Sequence, residues 1–482
     1  MDERTASVPS PSPAARPGEP PQLLRALGLR DGIALQIGVI IGSGIFVVPA
    51  AIAGHLRAMG PILLVWSIGG LLVLFGSLTL AELSALLPQA GGPYIYLRRG
   101  FGPFWAFLYS WNHFFINAAG SIAAIAVAFA TYLGAFVPWI SPSRVFFRIS
   151  FSVFGQPQTI DFGGVQAVAV GAIGLLTWIN VRGVKFGGRV MSVFTAAKIA
   201  ALLTLIVAAF VSGKGSAAHF LPWWPAAGTK DLLSSFGLSL IAVLWAYDGW
   251  IAVTLNAGEM KNPERNVPLS LILGTLAVIA LYIGANLAYA YILPLDVLAG
   301  SPRVAADVAR AVLGPFGASL IVLGILCSTF GTINGSLMSN PRAIYAAGAD
   351  GTFARSFGRI HPRYRTPSVA IVTMGVWGAV LTLSGKYEQI ISYVVFGSWA
   401  FYALTALSVI VLRKKMPDAP RPYKAWGYPY ATLLLVAVTG WFLYNTVVKD
   451  TRNAVIGIVL LLASIPFYAR SSRRRSGSGS PG

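Results

Sequence analysis

Long apolar stretches alternate with short polar connections along the whole chain. Twelve stand out, at about 31–56, 61–87, 103–136, 163–181, 190–212, 233–258, 268–293, 314–347, 367–384, 388–412, 429–447 and 453–469. As helices, most of them are long enough to cross a hydrocarbon core of about 30 Å. A membrane β-barrel would instead show alternating segments of about 10 residues. The pattern predicts an all-α polytopic membrane protein with twelve transmembrane helices.

Two of these stretches are interrupted where a span should be most regular. The first reads "IIGSGIF" over residues 40–46, and the sixth reads "AYDGW" around Asp248 and Gly249. A glycine pair can mark a close helix–helix contact. It can also mark a break in the backbone, tolerated in lipid only where protein or a polar cavity satisfies the freed groups. The sixth stretch favours the break, because a carboxylate at mid-membrane costs about 2.5–3.5 kcal/mol on insertion scales and rarely persists without a function. Spans one and six lead two successive groups of five. Breaks at corresponding places in two halves point to an inverted-repeat transporter with its site at the bilayer midplane. This predicts a first repeat over 29–213, a second over 233–412, and two further helices over 428–470. No residue-level repeat accompanies that symmetry, which rests on position and hydropathy.

Composition fixes the setting further. Of 482 residues, 56% are hydrophobic and 11% charged, against about 25% charged in soluble domains; mean hydropathy is +0.69. With a cytoplasmic N-terminus, 25 of the 36 Lys and Arg fall on the cytoplasmic side and 10 on the other. That is the positive-inside pattern. It places both termini in the cytoplasm and explains the net charge of +20 without nucleic acid as a partner. The runs Arg413–Lys415 and Arg473–Arg475 read as topology anchors with an attraction to anionic lipid. Residues 1–28 and 471–482 read as disordered cytoplasmic tails, too polar for a core or a signal peptide. The lone Cys327 rules out an intrachain disulfide.

The breaks suggest their ligand. Past the first one, free amides of Ser43, Gly44 and Ile45 at the start of a half-helix would receive an anion such as a carboxylate, and the Ser43 hydroxyl adds a donor. Carbonyls near Ile40–Ile41 and Trp245–Ala246 would suit an ammonium group. A carboxylate and an ammonium that close together describe an α-amino acid.

The segments "IIGSGIFVVPA", "AELSALLPQAGGPYIYL", "FTAAKIAAL", "LWAYDGWIAVTLNAGEMKNPERNVPLSL" and "FGTINGSLMSNPRAIYAAGADG" resemble motifs of the amino acid–polyamine–organocation superfamily. Within it the chain is most similar to the L-type amino acid transporter family and its bacterial serine/threonine exchangers, over about residues 28–470. The resemblance implies a ten-helix (5+5) inverted-repeat core with helices 1 and 6 unwound, and sodium-independent alternating access, often by obligatory exchange. It implies Ser43 and Gly44 as carboxylate ligands. The carbonyls of Ile40, Trp245 and residue 248 would hold the amine, and Trp245 would be the aromatic gate.

Two departures from animal members matter. Many of those have glycine at the place of Asp248; here the carboxylate either sits by the substrate, favouring a polar or cationic side chain, or turns away to pair with backbone groups. The connection 137–162 lacks the cysteine that links a heavy-chain glycoprotein, so no disulfide-linked heavy chain is expected. Lys198, deep in span five, has two readings as well. In proton-coupled relatives the matching lysine occupies the place of a sodium ion and could cycle its proton. Otherwise it is a fixed charge bracing spans one, five and eight in place of sodium, the reading slightly preferred.

Other polar positions carry weaker signals. Glu82 reads as structural, and Glu259 with "KNPERNVP" as holding span six against the cytoplasmic bundle. In "WNHFFIN" of span three, His113 and Asn117 share a helical face with Asn112 nearby, bonding between helices or lining a cavity. Ser328, Thr332, Asn334 and Ser336 in span eight would face a ligand side chain. The four histidines are scattered, no metal-ligand spacing or phosphate-binding loop is present, and no cofactor or metal is expected. The chain therefore reads as a transporter and not an enzyme, exchanging small neutral L-amino acids of the serine, threonine or alanine type, in a plasma membrane of prokaryotic character. Its alternatives are a proton-coupled or cationic amino acid or polyamine carrier using Asp248, and, from another class, a non-transporting amino acid sensor.

Overall fold

The structure, a computed structural model, describes residues 22–141, 144–153, 156–225, 232–301, 303–383, 387–449 and 451–470. The expected tail 471–482 and residues 1–21 of the other lie outside the described residues. Ala26 and Leu27, also assigned to the tail, are in place: their amides donate to the Glu259 carbonyl at 2.9 and 3.0 Å, and the Lys261 amide donates to the Leu27 carbonyl.

Among the described residues, eight helices are long and apolar enough to cross a membrane, or nine if the bent pair Leu29–Ile40 and Gly44–Leu56 is one span. Three shorter apolar helices, Leu232–Ala246, Ser368–Thr382 and Val455–Arg470, fall on the remaining predicted stretches. The molecule is thus an all-α multi-pass membrane protein, and "span" below keeps the numbering of the twelve stretches. Exposed Leu, Val and Phe cover the outward faces of these helices, as lipid contact requires.

The first span packs across the interior, its first half against spans five and seven and its second against span six. Span five lies along span eight, and span two along span seven. Glycine lets span one approach span five, and span two approach span six, closely. A Cβ on Gly38 would sit 2.2 Å from the Thr195 hydroxyl of span five, and one on Gly76 would sit 2.5 Å from the Trp250 ring.

Two local features were not anticipated. Span three, Pro103–Leu133, changes to a π-helix over His113–Ala118. The wider turn undoes the four-residue face that an α-helix would give His113 and Asn117. The connection after span three forms a two-stranded antiparallel hairpin, β1 (Val145–Val153) with β2 (Gln156–Gly163). Phe147 stacks on Phe162 at 4.7 Å, while Arg148 pairs with Asp161 on the other face.

Candidate functional site

The first span ends its helix at Ile40 and resumes at Gly44, with a bend of 41°. The sixth ends at Ala246 and resumes at Ala252. Between them Gly249 takes φ +94°, and a Cβ there would also meet Val39 at 2.6 Å. Position 249 therefore needs glycine for both conformation and space. The two breaks touch where Gly44 meets Ala246: a Cβ on Gly44 would lie 2.7 Å from the Ala246 Cα. This glycine serves the close approach of two backbones. Gly42 has no such need, its nearest neighbour across the cavity being Thr332 at 3.7 Å.

A cavity lies between the breaks. Of the residues singled out in the sequence, Ile40, Ser43, Gly44, Trp245, Ala246 and Asp248 line it; Ile41, Ile45 and Lys198 are not among its lining residues. Asn117 and Ser121 of span three, Thr332, Ser336 and Asn340 at the end of span eight, and Tyr402 of span ten close the opposite wall. Asn117 also bonds to Ser398 of span ten.

The carbonyls at the first break are largely engaged by other spans. Ile41, expected to offer a free carbonyl, accepts instead from Lys198 Nζ at 2.7 Å, Ser328 Oγ at 2.9 Å and Thr332 Oγ1 at 3.0 Å. The Ile40 carbonyl faces the Tyr282 hydroxyl at 3.1 Å, and the Ala246 carbonyl faces the same hydroxyl at 2.9 Å. Tyr282, on span seven, so bridges the two breaks. Gln36 adds a second bridge, donating to the Trp250 carbonyl at 2.8 Å. The Trp245 carbonyl accepts the Asp248 amide in a local turn. Gly44 and Ile45 open the second half-helix, where amides lack an intrahelical acceptor.

Two buried charges flank this arrangement. The Lys198 ammonium reaches four oxygens, the carbonyls of Gly38, Ile41 and Ser328 and the Thr332 hydroxyl, at 2.7–3.1 Å. No carboxylate is among these partners. Asp248 accepts from the Tyr402 hydroxyl at 2.8 Å, so the carboxylate faces the cavity held by a neutral donor from span ten.

The remaining candidates separate into bracing and lining. His113 stacks on Tyr109 with ring centroids 5.2 Å apart and stays out of the cavity lining. Asn334 turns away to Asn180 and the Gly187 carbonyl. Glu259 is fully buried and pairs through both oxygens with Arg342, each at 2.9 Å, while Asn256 donates to one of them. Glu82 receives Arg413 through both oxygens and the Ala425 amide, with the Arg413 guanidinium 3.6 Å from the Tyr428 ring centroid. Tyr282, Tyr402, Gln36 and Arg342 were missed by sequence reasoning. Tyrosines in apolar spans look like core or lipid-facing residues, and only the fold brings their hydroxyls to the breaks.

A lipid-facing helical bundle around a polar cavity, built from two interrupted helices, defines a membrane transporter. A model of the amino acid permease family matches residues 27–465. The chain belongs to that family, in the L-type amino acid transporter branch of the amino acid–polyamine–organocation superfamily. It is similar to the serine/threonine exchanger SteT of Bacillus subtilis, 31% identical over 459 residues that cover 94% of this chain and 98% of the relative. The human b(0,+)-type amino acid transporter 1 is 32% identical over 450 residues, 92% of this chain and 88% of its own length. The human cystine/glutamate transporter is 28% identical over 461 residues, 93% and 87%. Family and relatives alike are transporters and not enzymes, and amino acid transport is the activity they support here.

Proposed function

We propose that this chain exchanges small neutral L-amino acids of the serine, threonine or alanine type, without sodium, by alternating access. The observation that carries the sodium independence is Lys198. Its ammonium already fills a cluster of three carbonyls and one hydroxyl at 2.7–3.1 Å, the kind of oxygen cage a hard monovalent cation would otherwise need. In this reading Lys198 is the fixed brace of spans one, five and eight. Ser43 and Gly44 take the substrate carboxylate at the head of the second half-helix. The amine meets the carbonyls of Trp245 and Asp248, the Ile40 carbonyl being taken by the Tyr282 hydroxyl and the Gly42 amide, and Trp245 closes over it. The 31% identity to a serine/threonine exchanger supports the substrate class.

Alternating access would come from two inverted repeats, 29–213 and 233–412. The packing supports this: spans two and seven, three and eight, and four and nine lie together, pairs that a twofold exchange of the repeats maps onto themselves. We place both termini in the cytoplasm of a prokaryotic cell, from the basic loops, and the chain in the plasma membrane without a disulfide-linked heavy chain, since the connection 137–162 holds no cysteine.

A second reading is favoured by one observation. Asp248 lines the cavity with the Tyr402 hydroxyl and the Gly249 backbone as partners, neither of them charged, so a cationic side chain or a polyamine would supply a counter-charge. Counterflow separates the two. Proteoliposomes loaded with serine, in sodium-free buffer, are expected to take up labelled serine only when internal serine is present, with block by small neutral amino acids and loss in Ser43→Leu. Block by lysine, arginine or putrescine instead would give the site to the cationic reading. A serine-induced thermal shift with no uptake would make the chain a sensor.

A further inference from the structure

Outside the cavity, the loop after span eight builds a second concave site. Residues 351–367 carry Arg355, Arg359, Arg363, Arg365 and His361 and not one acid. The loop is pressed onto the end of the helix Pro341–Ala349. A Cβ on Gly348 would lie 2.5 Å from the Gly358 amide nitrogen, and one on Gly358 would lie 2.6 Å from that of Ala349. Phe353 and Phe357 anchor it from below, packing 5.8 Å from Phe107 and 5.9 Å from Phe114. Aromatic side chains thus point inward, and Arg355 and Arg359 are left at the surface.

Between them lies a pocket floored by Gly348, Gly351 and Gly358 and rimmed by Arg355, Arg359 and Asp350. The acid is already engaged. Arg98 Nε donates to Asp350 at 3.1 Å, and Thr352 donates through its amide at 2.9 Å and its hydroxyl. Arg365 is likewise committed, to the Gln22 carbonyl. The side chains of Arg355 and Arg359 have no hydrogen bond or ion pair among the described residues. Two unneutralised guanidinium forks therefore face a shallow basin that Gly351, with nothing within 4 Å of where its Cβ would be, leaves open. Orientation of the membrane topology requires only positive charge near a span end; it does not require a concave basin.

We propose that this basin binds a phosphate group, held by Arg355 and Arg359. Planar guanidinium forks match tetrahedral oxyanions in pairs, which makes arginine suited to phosphate. The basin follows the end of span eight and adjoins Arg98 between spans two and three. A phospholipid headgroup can therefore supply the group, and so can free phosphate from solution.

The test is thermal stability of the full chain, independent of transport. Purified protein in neutral detergent is titrated with inorganic phosphate against chloride at equal ionic strength. In parallel, it is reconstituted in nanodiscs of phosphatidylcholine alone or mixed with phosphatidylglycerol. The variants are Arg355→Gln/Arg359→Gln and, as a control of equal charge, Arg473→Gln/Arg474→Gln in the terminal basic run. A saturable rise with inorganic phosphate, weakened about tenfold or more in the first variant and kept in the second, gives the site to the free anion. A rise with phosphatidylglycerol only, with the same variant pattern, gives it to the headgroup. No rise with either, a rise that follows ionic strength alone, or equal loss in both variants overturns the proposal. If the double variant is recovered poorly, Arg359→Gln alone is read by the same criteria.

Discussion

At the first break the carbonyls of Gly38, Ile40, Ile41 and Gly42 accept from Lys198, Tyr282, Ser328 and Thr332, which belong to spans five, seven and eight. At the sixth break the chain mostly closes on itself, with amides of Asp248, Ala252 and Thr254 donating to carbonyls three residues earlier. One break is held from outside and carries no charge of its own. The other combines its own turns with single contacts from Tyr282, Gln36 and Tyr402, and carries a carboxylate. Similar positions in the two halves have thus been stabilised by different means. The first should be sensitive to substitutions far away in sequence, the second to substitutions within it.

The largest effect should come from Lys198→Met. It removes the cation from the first break, while the Ser328 and Thr332 hydroxyls still reach the Gly38 and Ile41 carbonyls. The cost is that of lost hydrogen bonds to a charged group, roughly 1.5–3 kcal/mol each. Little folded protein, or a fall in melting temperature beyond that of any variant at the sixth break, is the expected result by thermal unfolding. A near-normal melting temperature would mean the first break does not depend on its brace. Next comes Gly249→Ala, which forces a side chain into φ +94° and onto Val39. The left-handed conformation alone costs about 1–2 kcal/mol, so melting should drop and counterflow should fail. Gly42→Ala, in the first break, should shift stability by less than about 0.5 kcal/mol, since its Cβ finds ordinary contact.

Tyr402→Phe lies between these in size. It strips the carboxylate of its hydroxyl donor, at about 1–3 kcal/mol, and Tyr402→Phe/Asp248→Asn should recover part of that loss. A smaller loss in Tyr402→Phe than in Gly42→Ala would contradict the view that Asp248 is held from span ten. Smallest of all should be Arg148→Ala in the hairpin, whose exposed pair with Asp161 is screened by solvent.

Much of this was legible in the sequence. Twelve apolar stretches, the glycines of the first break, Asp248 and Lys198 all announce themselves, because an interrupted or charged span conflicts with lipid. What stayed hidden were partners that conflict with nothing. Tyr282 and Tyr402 are ordinary in an apolar helix until the fold brings their hydroxyls to a break. Arg342, near the end of the eighth stretch, looks like one more cytoplasmic-side cation, although it is the buried partner of Glu259. The free carbonyl expected of Ile41 failed for the same reason, since its acceptor role is filled by residues about 157–291 positions away. The hairpin is a different case: "VFFRISFSV" alternates apolar and polar residues from Phe147 onward, a period-two signal that a loop assignment passed over.

The pairing of the residues before span one with the end of span six bears on how the molecule is made. Leu27 and Lys261 share a backbone hydrogen bond, Gln36 waits for Trp250, and Ile40 for Tyr282, 242 residues later. During synthesis the first span emerges well before these partners, and before the lysine that braces its break. Until more than half of the chain has followed, it must sit in the bilayer with its interrupted backbone unsupported, exposed to quality control. Substitutions at Lys198 or Tyr282 should therefore lower the amount of protein reaching the membrane, whatever they do to the turnover of the molecules that arrive.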